Sequence, residues 1–156
     1  MPLEIERKFL VTGDDWRAQA TGRQYRQGYL SSDPERSVRV RLAGEQAWLT
    51  IKGRSRGAAR VEYEYTIPAE QAREMLDSLC LQPLIEKTRY QVVYSGMTWE
   101  IDEFSGDNDG LVIAEIELES EGQAFDLPPW AGDDVTGDPR YYNASLIAHP
   151  YSQWAD

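Results

Sequence analysis

Glu4, Glu6 and Lys8 occupy alternate positions near the N-terminus. The same two-residue spacing recurs at Arg39 and Arg41, Lys52 and Arg54, Glu62 and Glu64, Lys87 and Arg89, and Glu115 and Glu117. Clustered Arg and Lys offer bidentate and point-charge contacts to phosphoryl oxygens. Clustered carboxylates hold hard divalent cations such as Mg²⁺ or Mn²⁺, which prefer oxygen ligands and bridge carboxylate to phosphate. A concave surface carrying both therefore suits a metal-bound polyphosphate. Cations alone would bind anions indiscriminately, and carboxylates alone would repel them. The competing reading is an inert lattice of paired charges, which is disfavoured by the cost of burying so many ions for stability alone.

Other chemistries lack their residues. The chain has one cysteine, Cys80, and one histidine, His149, too few for a zinc site of the usual Cys and His ligands. Cys80 reads as a small buried core residue and His149 as a cap or surface residue. The run Gly53-Arg54-Ser55-Arg56-Gly57 is basic and flexible, but it does not place Gly-Lys-Ser or Gly-Lys-Thr before a helix as a phosphate loop does.

Residues two apart on a strand lie on one face, about 6.6 Å apart. The charged pairs therefore belong on strands, and alternation predicts eight: Leu3–Val11, Tyr25–Leu30, Ser37–Leu42, Gln46–Lys52, Arg60–Ile67, Ile85–Tyr94, Thr98–Phe104 and Leu111–Leu118. Gly44, Ser95-Gly96 and the Gly106–Gly110 run read as turns, and the short links favour antiparallel neighbours. Helices are expected over Pro68–Leu79 and from the Asp138-Pro139 cap to about Ile147, with a helical turn near Asp14–Thr21. Ser120–Gly137, with Pro128-Pro129 and several acids, reads as an irregular link.

The charged positions oppose Val38, Val40, Leu49, Ile51, Tyr63, Ile116 and other apolar residues. Six strands share this pattern with signs grouped by strand, whereas solubilising charge usually mixes signs along each strand. The charged face thus reads as functional. Eight strands can close into a barrel and remove both edges. Periodicity alone leaves open whether the charges point inward or coat the exterior; an outward apolar face would need helices or a partner chain to cover it.

The 156 residues carry 27 acidic groups against 16 Lys and Arg, a net charge of −11. That length predicts a single domain over 1–156. Such a charge disfavours nucleic acid and anionic membranes as partners, and the aromatic residues lie on the apolar faces rather than among the basic ones. No apolar run reaches the length of a spanning helix, so the expected location is the cytoplasm. Asn143-Ala144-Ser145 is then an incidental match to a glycosylation acceptor. A homodimer is one way to cover the apolar exterior.

The motifs together resemble the CYTH superfamily, the triphosphate tunnel metalloenzymes. The resemblance runs through Glu4-Ile5-Glu6-Arg7-Lys8-Phe9-Leu10-Val11, Gln27-Gly28-Tyr29-Leu30, Arg39-Val40-Arg41, Thr50-Ile51-Lys52-Gly53, Glu62-Tyr63-Glu64, Glu86-Lys87-Thr88-Arg89, Trp99-Glu100-Ile101-Asp102 and Ala114-Glu115-Ile116-Glu117-Leu118. It covers nearly the whole chain, and the short length resembles compact bacterial members that hydrolyse inorganic tripolyphosphate. It implies an α+β fold: a closed eight-stranded antiparallel barrel with inward charges, helices outside, and a C-terminal helix near one tunnel end. It implies that Glu4, Glu6, Glu115 and Glu117 face Mg²⁺ or Mn²⁺, supported by Glu62, Glu64 and Asp102. Lys8, Arg39, Arg41, Lys52, Arg54, Lys87 and Arg89 would line the triphosphate path, with Lys8 and Tyr29 positioning or activating water. The same superfamily includes class IV adenylate cyclases and thiamine triphosphatases, so cyclase or organic triphosphatase activity is an alternative. A noncatalytic polyphosphate-binding module is another.

Overall fold

The computed structural model describes residues 3–154. Eight strands, β1 (Leu3–Val11), β2 (Thr21–Ser31), β3 (Ser37–Ala43), β4 (Gln46–Lys52), β5 (Ala59–Ile67), β6 (Ile85–Tyr94), β7 (Met97–Phe104) and β8 (Val112–Glu117), pair antiparallel in the order β5-β4-β3-β2-β6-β7-β8-β1. β1 then pairs with β5 through Leu3–Ile5, and the sheet closes into a barrel. Every strand expected from alternation is present. The Ser95-Gly96 link turns β6 into β7 with both residues at positive φ, 48° and 76°, the backbone hand that matches strand twist in a tight hairpin.

Closure is asymmetric. Only Leu3–Ile5 of β1 meets β5, so the later part of β1 has an open edge, and β9 (Ala131–Asp134) occupies it with Phe9 opposite Asp134 and Val11 opposite Ala131. This strand lies inside Ser120–Gly137, where an irregular link was expected. Ala-Gly-Asp-Asp has neither alternation nor β-branched residues; its pairing is dictated by the vacant edge of β1. β2 likewise begins at Thr21 rather than Tyr25, because β6 supplies partners as far as Gln91 opposite Thr21.

The charges point inward. Outside, α1 (Ala69–Ser78) packs Ala72 and Leu76 against Val40, Leu42 and Ala47 of β3 and β4. Trp16, from a 3₁₀ turn over Asp15–Gln19, joins Trp130 in covering Phe9, Trp99, Ile101 and Ile116. Ile51, Tyr63 and Tyr65 on the exterior of β4 and β5 stay exposed. Gly28 is fixed by packing: a β-carbon there would stand 2.7 Å from Leu84 and 2.9 Å from the β-carbon of Cys80. The buried Cys80 is part of that outer core.

One end of the barrel is apolar inside. Ile85, Phe104 and Ile113 occupy inward positions of β6, β7 and β8 and pack with Leu111, Tyr141 and Leu146. Tyr141 and Leu146 come from the C-terminal segment, expected as one helix from Asp138. The segment is instead a 3₁₀ turn over Pro139–Tyr141, an extended Tyr142 (φ −69°, ψ 133°) and a short helix α2 (Asn143–Ala148). Asp138 does cap the turn, its side chain accepting from the Arg140 amide at 3.1 Å. The break at Tyr142 lets Tyr141 and Leu146 join the plug while Asn143 reaches the tunnel.

Candidate active site

The barrel encloses a cavity of about 220 Å³ lined by charged and polar side chains from all eight strands. Read around the strand order, its wall has two arcs. β4, β3 and β6 contribute Lys52, Arg39, Arg41, Lys87 and Arg89. β7, β8, β1 and β5 contribute Glu100, Glu115, Glu117, Glu4, Glu6, Glu62 and Glu64, with Lys8 of β1 and Arg60 of β5 as the cations among them. β2 lies inside the basic arc with neutral inward residues, Tyr25, Gln27 and Tyr29. A barrel whose charge alternated strand by strand would neutralise itself locally; here the two signs face each other across the cavity.

The basic arc is held from behind. Asp102, buried, accepts from Lys87 Nζ at 2.7 Å and from Arg89 Nε and Nη2 at 2.7 and 2.9 Å. Burial works against ionising Asp102, but Arg89 and Lys87 overcome it and hold the carboxyl far below the usual range. Asp102 thus holds both cations from behind and lies outside the cavity wall, apart from the carboxylates that line it. Tyr25 lies between Arg41 and Arg89, whose guanidinium carbons are 5.1 and 5.3 Å from its ring centroid, a favourable cation–π geometry that keeps the two cations ordered. Gln27 accepts from Arg41 Nε at 3.0 Å and donates to Asn143 Oδ1 at 2.7 Å; Asn143 also accepts from Lys87 at 2.9 Å.

Crowding perturbs these cations. Burial, with Arg39 and Arg89 adding repulsion, lowers Arg41 to about 10. Burial, with Arg89 and Arg41 against it and Asp102 in its favour, lowers Lys87 to about 7. Lys8 goes the other way. Burial opposes its charge, but Glu115 and Glu6 overcome that and raise its pKa above that of free lysine. Its amine is 3.8 Å from Glu6 and 3.9 Å from Glu115, with the Tyr142 ring 5.5 Å away. Lys8 thus stands as a cation within the acidic arc. Tyr29 lines the same cavity from β2, and among the described residues no hydrogen bond joins it to Lys8.

The acidic arc contains like charges in direct register. Glu6 stands opposite Glu117 between β1 and β8, and Glu100 opposite Glu115 between β7 and β8. Burial and then Glu6 raise the pKa of Glu115, against Lys8 and Arg89; burial and then Glu4, Glu6 and Glu100 raise that of Glu117. Lys52 relieves one side, donating to both oxygens of Glu4 at 3.0 and 2.9 Å and lying 3.2 Å from Glu62. Glu64 accepts from Thr50 at 2.9 Å at the exposed end of the arc. Among the described residues no three His, Cys, Asp or Glu side chains converge into a closed ligand set. The donors still fit a hard divalent cation: all are carboxylates, Glu6 and Glu117 face each other in direct register, and Mg²⁺ is typically held by one or two carboxylates plus water and substrate phosphate rather than by a protein cage.

Of the residues expected at the site, Arg54 is the other one absent from the tunnel wall. Gly53 ends β4's regular alternation, and Arg54 turns out to an exposed pair with Glu35 at 2.8 Å. Sequence reasoning missed Tyr25, Gln27, Arg60, Glu100 and Asn143. Four of them were accessible to the parity rule: Tyr25 and Gln27 share the face of Tyr29, Arg60 that of Glu62, and Glu100 that of Asp102. The rule had been followed mainly for pairs of charges. Asn143 carried no signal, because its place depends on the break at Tyr142.

Comparisons with known proteins agree with this architecture. A family model described as the CYTH domain matches residues 2–151. A curated inorganic triphosphatase of Acetivibrio thermocellus is 51% identical over 156 residues, covering 100% of both chains. One from Nitrosomonas europaea is 40% identical over 148 residues, covering 92% of this chain and 95% of its own. A solved structure of an inorganic triphosphatase superimposes with a TM-score of 0.65 at 39% identity, covering 92% of this chain and 97% of that one. No helix of the described residues is long and apolar enough to cross a membrane.

Proposed function

The chain belongs to the CYTH family, and from that membership we propose that it hydrolyses inorganic tripolyphosphate to diphosphate and orthophosphate with Mg²⁺ or Mn²⁺ as cofactor. The observation that carries this reading is the tunnel with a cationic arc facing a carboxylate arc. A linear triphosphate bears negative charge along its whole length. Arg39, Arg41, Lys87 and Arg89 match that charge on one side, while the opposite wall would repel it unless a divalent cation lay between.

Glu6, Glu115 and Glu117, with Glu4, are the residues that would hold the cation, and Glu62, Glu64 and Glu100 complete the arc. When bound, the metal supplies Lewis-acid polarisation of a phosphoryl oxygen and neutralises charge on the substrate. Water attacks a terminal phosphorus, the bond to the bridging oxygen breaks, diphosphate leaves with that oxygen, and one proton of the attacking water passes to bulk solvent. The cationic arc stabilises the charge that builds on the transferred group and on the leaving diphosphate. Lys8, fixed as a cation beside Glu6 and Glu115, stabilises charge at the attacked end. Tyr29 positions substrate from β2. Asp102 keeps Lys87 and Arg89 oriented for the reaction, an electrostatic preorganisation in which nothing has to rearrange.

The test is substitution of the two walls separately. Glu6→Gln is expected to cut metal-dependent turnover by about 10²-fold with tripolyphosphate still bound. Arg41→Ala is expected chiefly to raise KM. Undiminished metal-dependent turnover in a Glu4→Gln, Glu6→Gln double variant would remove the carboxylate assignment.

A further inference from the structure

A second cavity of about 280 Å³ adjoins the tunnel. Tyr29, Arg39, Lys52, Arg60 and Asn143 line both, so these side chains stand between the two spaces. Their charge differs. Carboxylates and cations line the tunnel alike, whereas the second cavity has four cations, Arg39, Lys52, Arg54 and Arg60, and no Asp or Glu in its wall. This is a concentration of one sign in a chain of net charge −11.

The four cations also form a graded path. The Arg54 side chain is 69% exposed, Arg60 22%, Arg39 10% and Lys52 8%. Among the described residues, the outermost is held only by the exposed pair with Glu35, an interaction of small value that an incoming anion can displace. At the inner end, Arg39 Nε is buried with no hydrogen-bond partner among the described residues, a cost that a ligand oxygen would remove.

We propose that this cavity is an antechamber that captures the triphosphate anion from solvent and passes it to the tunnel, with Arg54 as its outer capture residue. The proposal rests on the triphosphatase reading above. Most of the surface of so acidic a protein repels a polyanion, and a cleft lined by one sign of charge focuses the field and raises encounter rates. A capture residue that never touches the reacting phosphorus should affect association and leave the chemical step alone.

The experiment compares Arg54→Ala with Arg73→Ala. Arg73, on α1, is another exposed arginine, paired with Glu45, and its removal changes net charge equally. At low ionic strength, Arg54→Ala should lower kcat/KM for tripolyphosphate by about threefold to tenfold with kcat unchanged, and Arg73→Ala should leave both unchanged. The deficit should vanish in about 0.5 M salt, where the screening length falls to roughly 4 Å. Equal kcat/KM in the two variants, a loss confined to kcat, or a deficit indifferent to salt would each overturn the proposal. Wild-type protein inert toward tripolyphosphate would instead defeat the triphosphatase reading. Calorimetric titration with tripolyphosphate then tests the antechamber by itself: a weaker, salt-sensitive Kd for Arg54→Ala supports it, and a Kd equal to that of Arg73→Ala overturns it.

Discussion

Glu6 and Glu117 face each other directly across the β1–β8 ladder, and both line the tunnel. Like charges in direct cross-strand register destabilise a sheet, so the fold tolerates a local conflict where the proposed cation would sit. Glu117→Gln should therefore raise the stability of metal-free protein by about 0.5 kcal/mol, while lowering metal-dependent turnover by about 10²-fold. Denaturant unfolding in chelator, beside a turnover assay, checks both halves; a variant that loses stability would remove the conflict.

The raised pKa values of Glu115 and Glu117 give a pH dependence with a definite sign. Above the ordinary carboxylate range the native state retains protons that the unfolded chain has released, so stability falls as pH rises through the raised values. In chelator, the melting temperature should fall as pH rises above the ordinary carboxylate range. If Mg²⁺ binds the ionised carboxylates as proposed, it should flatten or reverse that slope. An identical profile with and without Mg²⁺ would contradict the assignment.

Lys87 provides the opposite limb. Lowered to about 7, it is charged below that pH and neutral above it in the free protein. KM for tripolyphosphate is expected to rise as pH climbs through about 7, with kcat at saturation little changed because the bound anion restores the proton. Lys87→Met should show a raised KM at every pH and lose this inflection. The same shift makes the native state bind fewer protons than the unfolded chain between that value and lysine's 10.5, so this group's effect on stability becomes more favourable as pH rises.

Much of this was legible from the two-residue spacing. The spacing located all eight barrel strands and, with one exception, the charged pairs that meet in the cavity. The exception, Arg54, shows where parity stops: one residue past β4, after Gly53, the alternation no longer binds. Which way the charges face was not readable from periodicity, because both orientations satisfy it; the apolar exterior is explained only by α1, Trp16 and Trp130 packing over it. β9 and Asn143 were invisible for a related reason. Each is placed by a tertiary circumstance, the unpaired edge of β1 and the break at Tyr142, and neither leaves a local pattern.

The plug formed by Leu146 against Ile85, Phe104 and Ile113 should be a stability element rather than a catalytic one. Leu146→Ala removes buried apolar volume and is expected to cost about 2–4 kcal/mol. Asn143→Ala, which takes an acceptor from Gln27 and Lys87, should cost about 1–2 kcal/mol and also raise KM, because it loosens the basic arc. Chemical denaturation with parallel kinetics separates the two: a Leu146→Ala variant with full stability would show that α2 does not close the barrel.

The most direct test of the central claim is the stoichiometry of products formed from tripolyphosphate by purified protein in Mg²⁺, in Mn²⁺ and in chelator. The predicted result is one diphosphate and one orthophosphate per tripolyphosphate consumed, with either metal and not in chelator. Saturable binding without turnover, or turnover unaffected by chelator, would contradict the account of a cationic arc and a metal-bearing carboxylate arc acting together on one triphosphate.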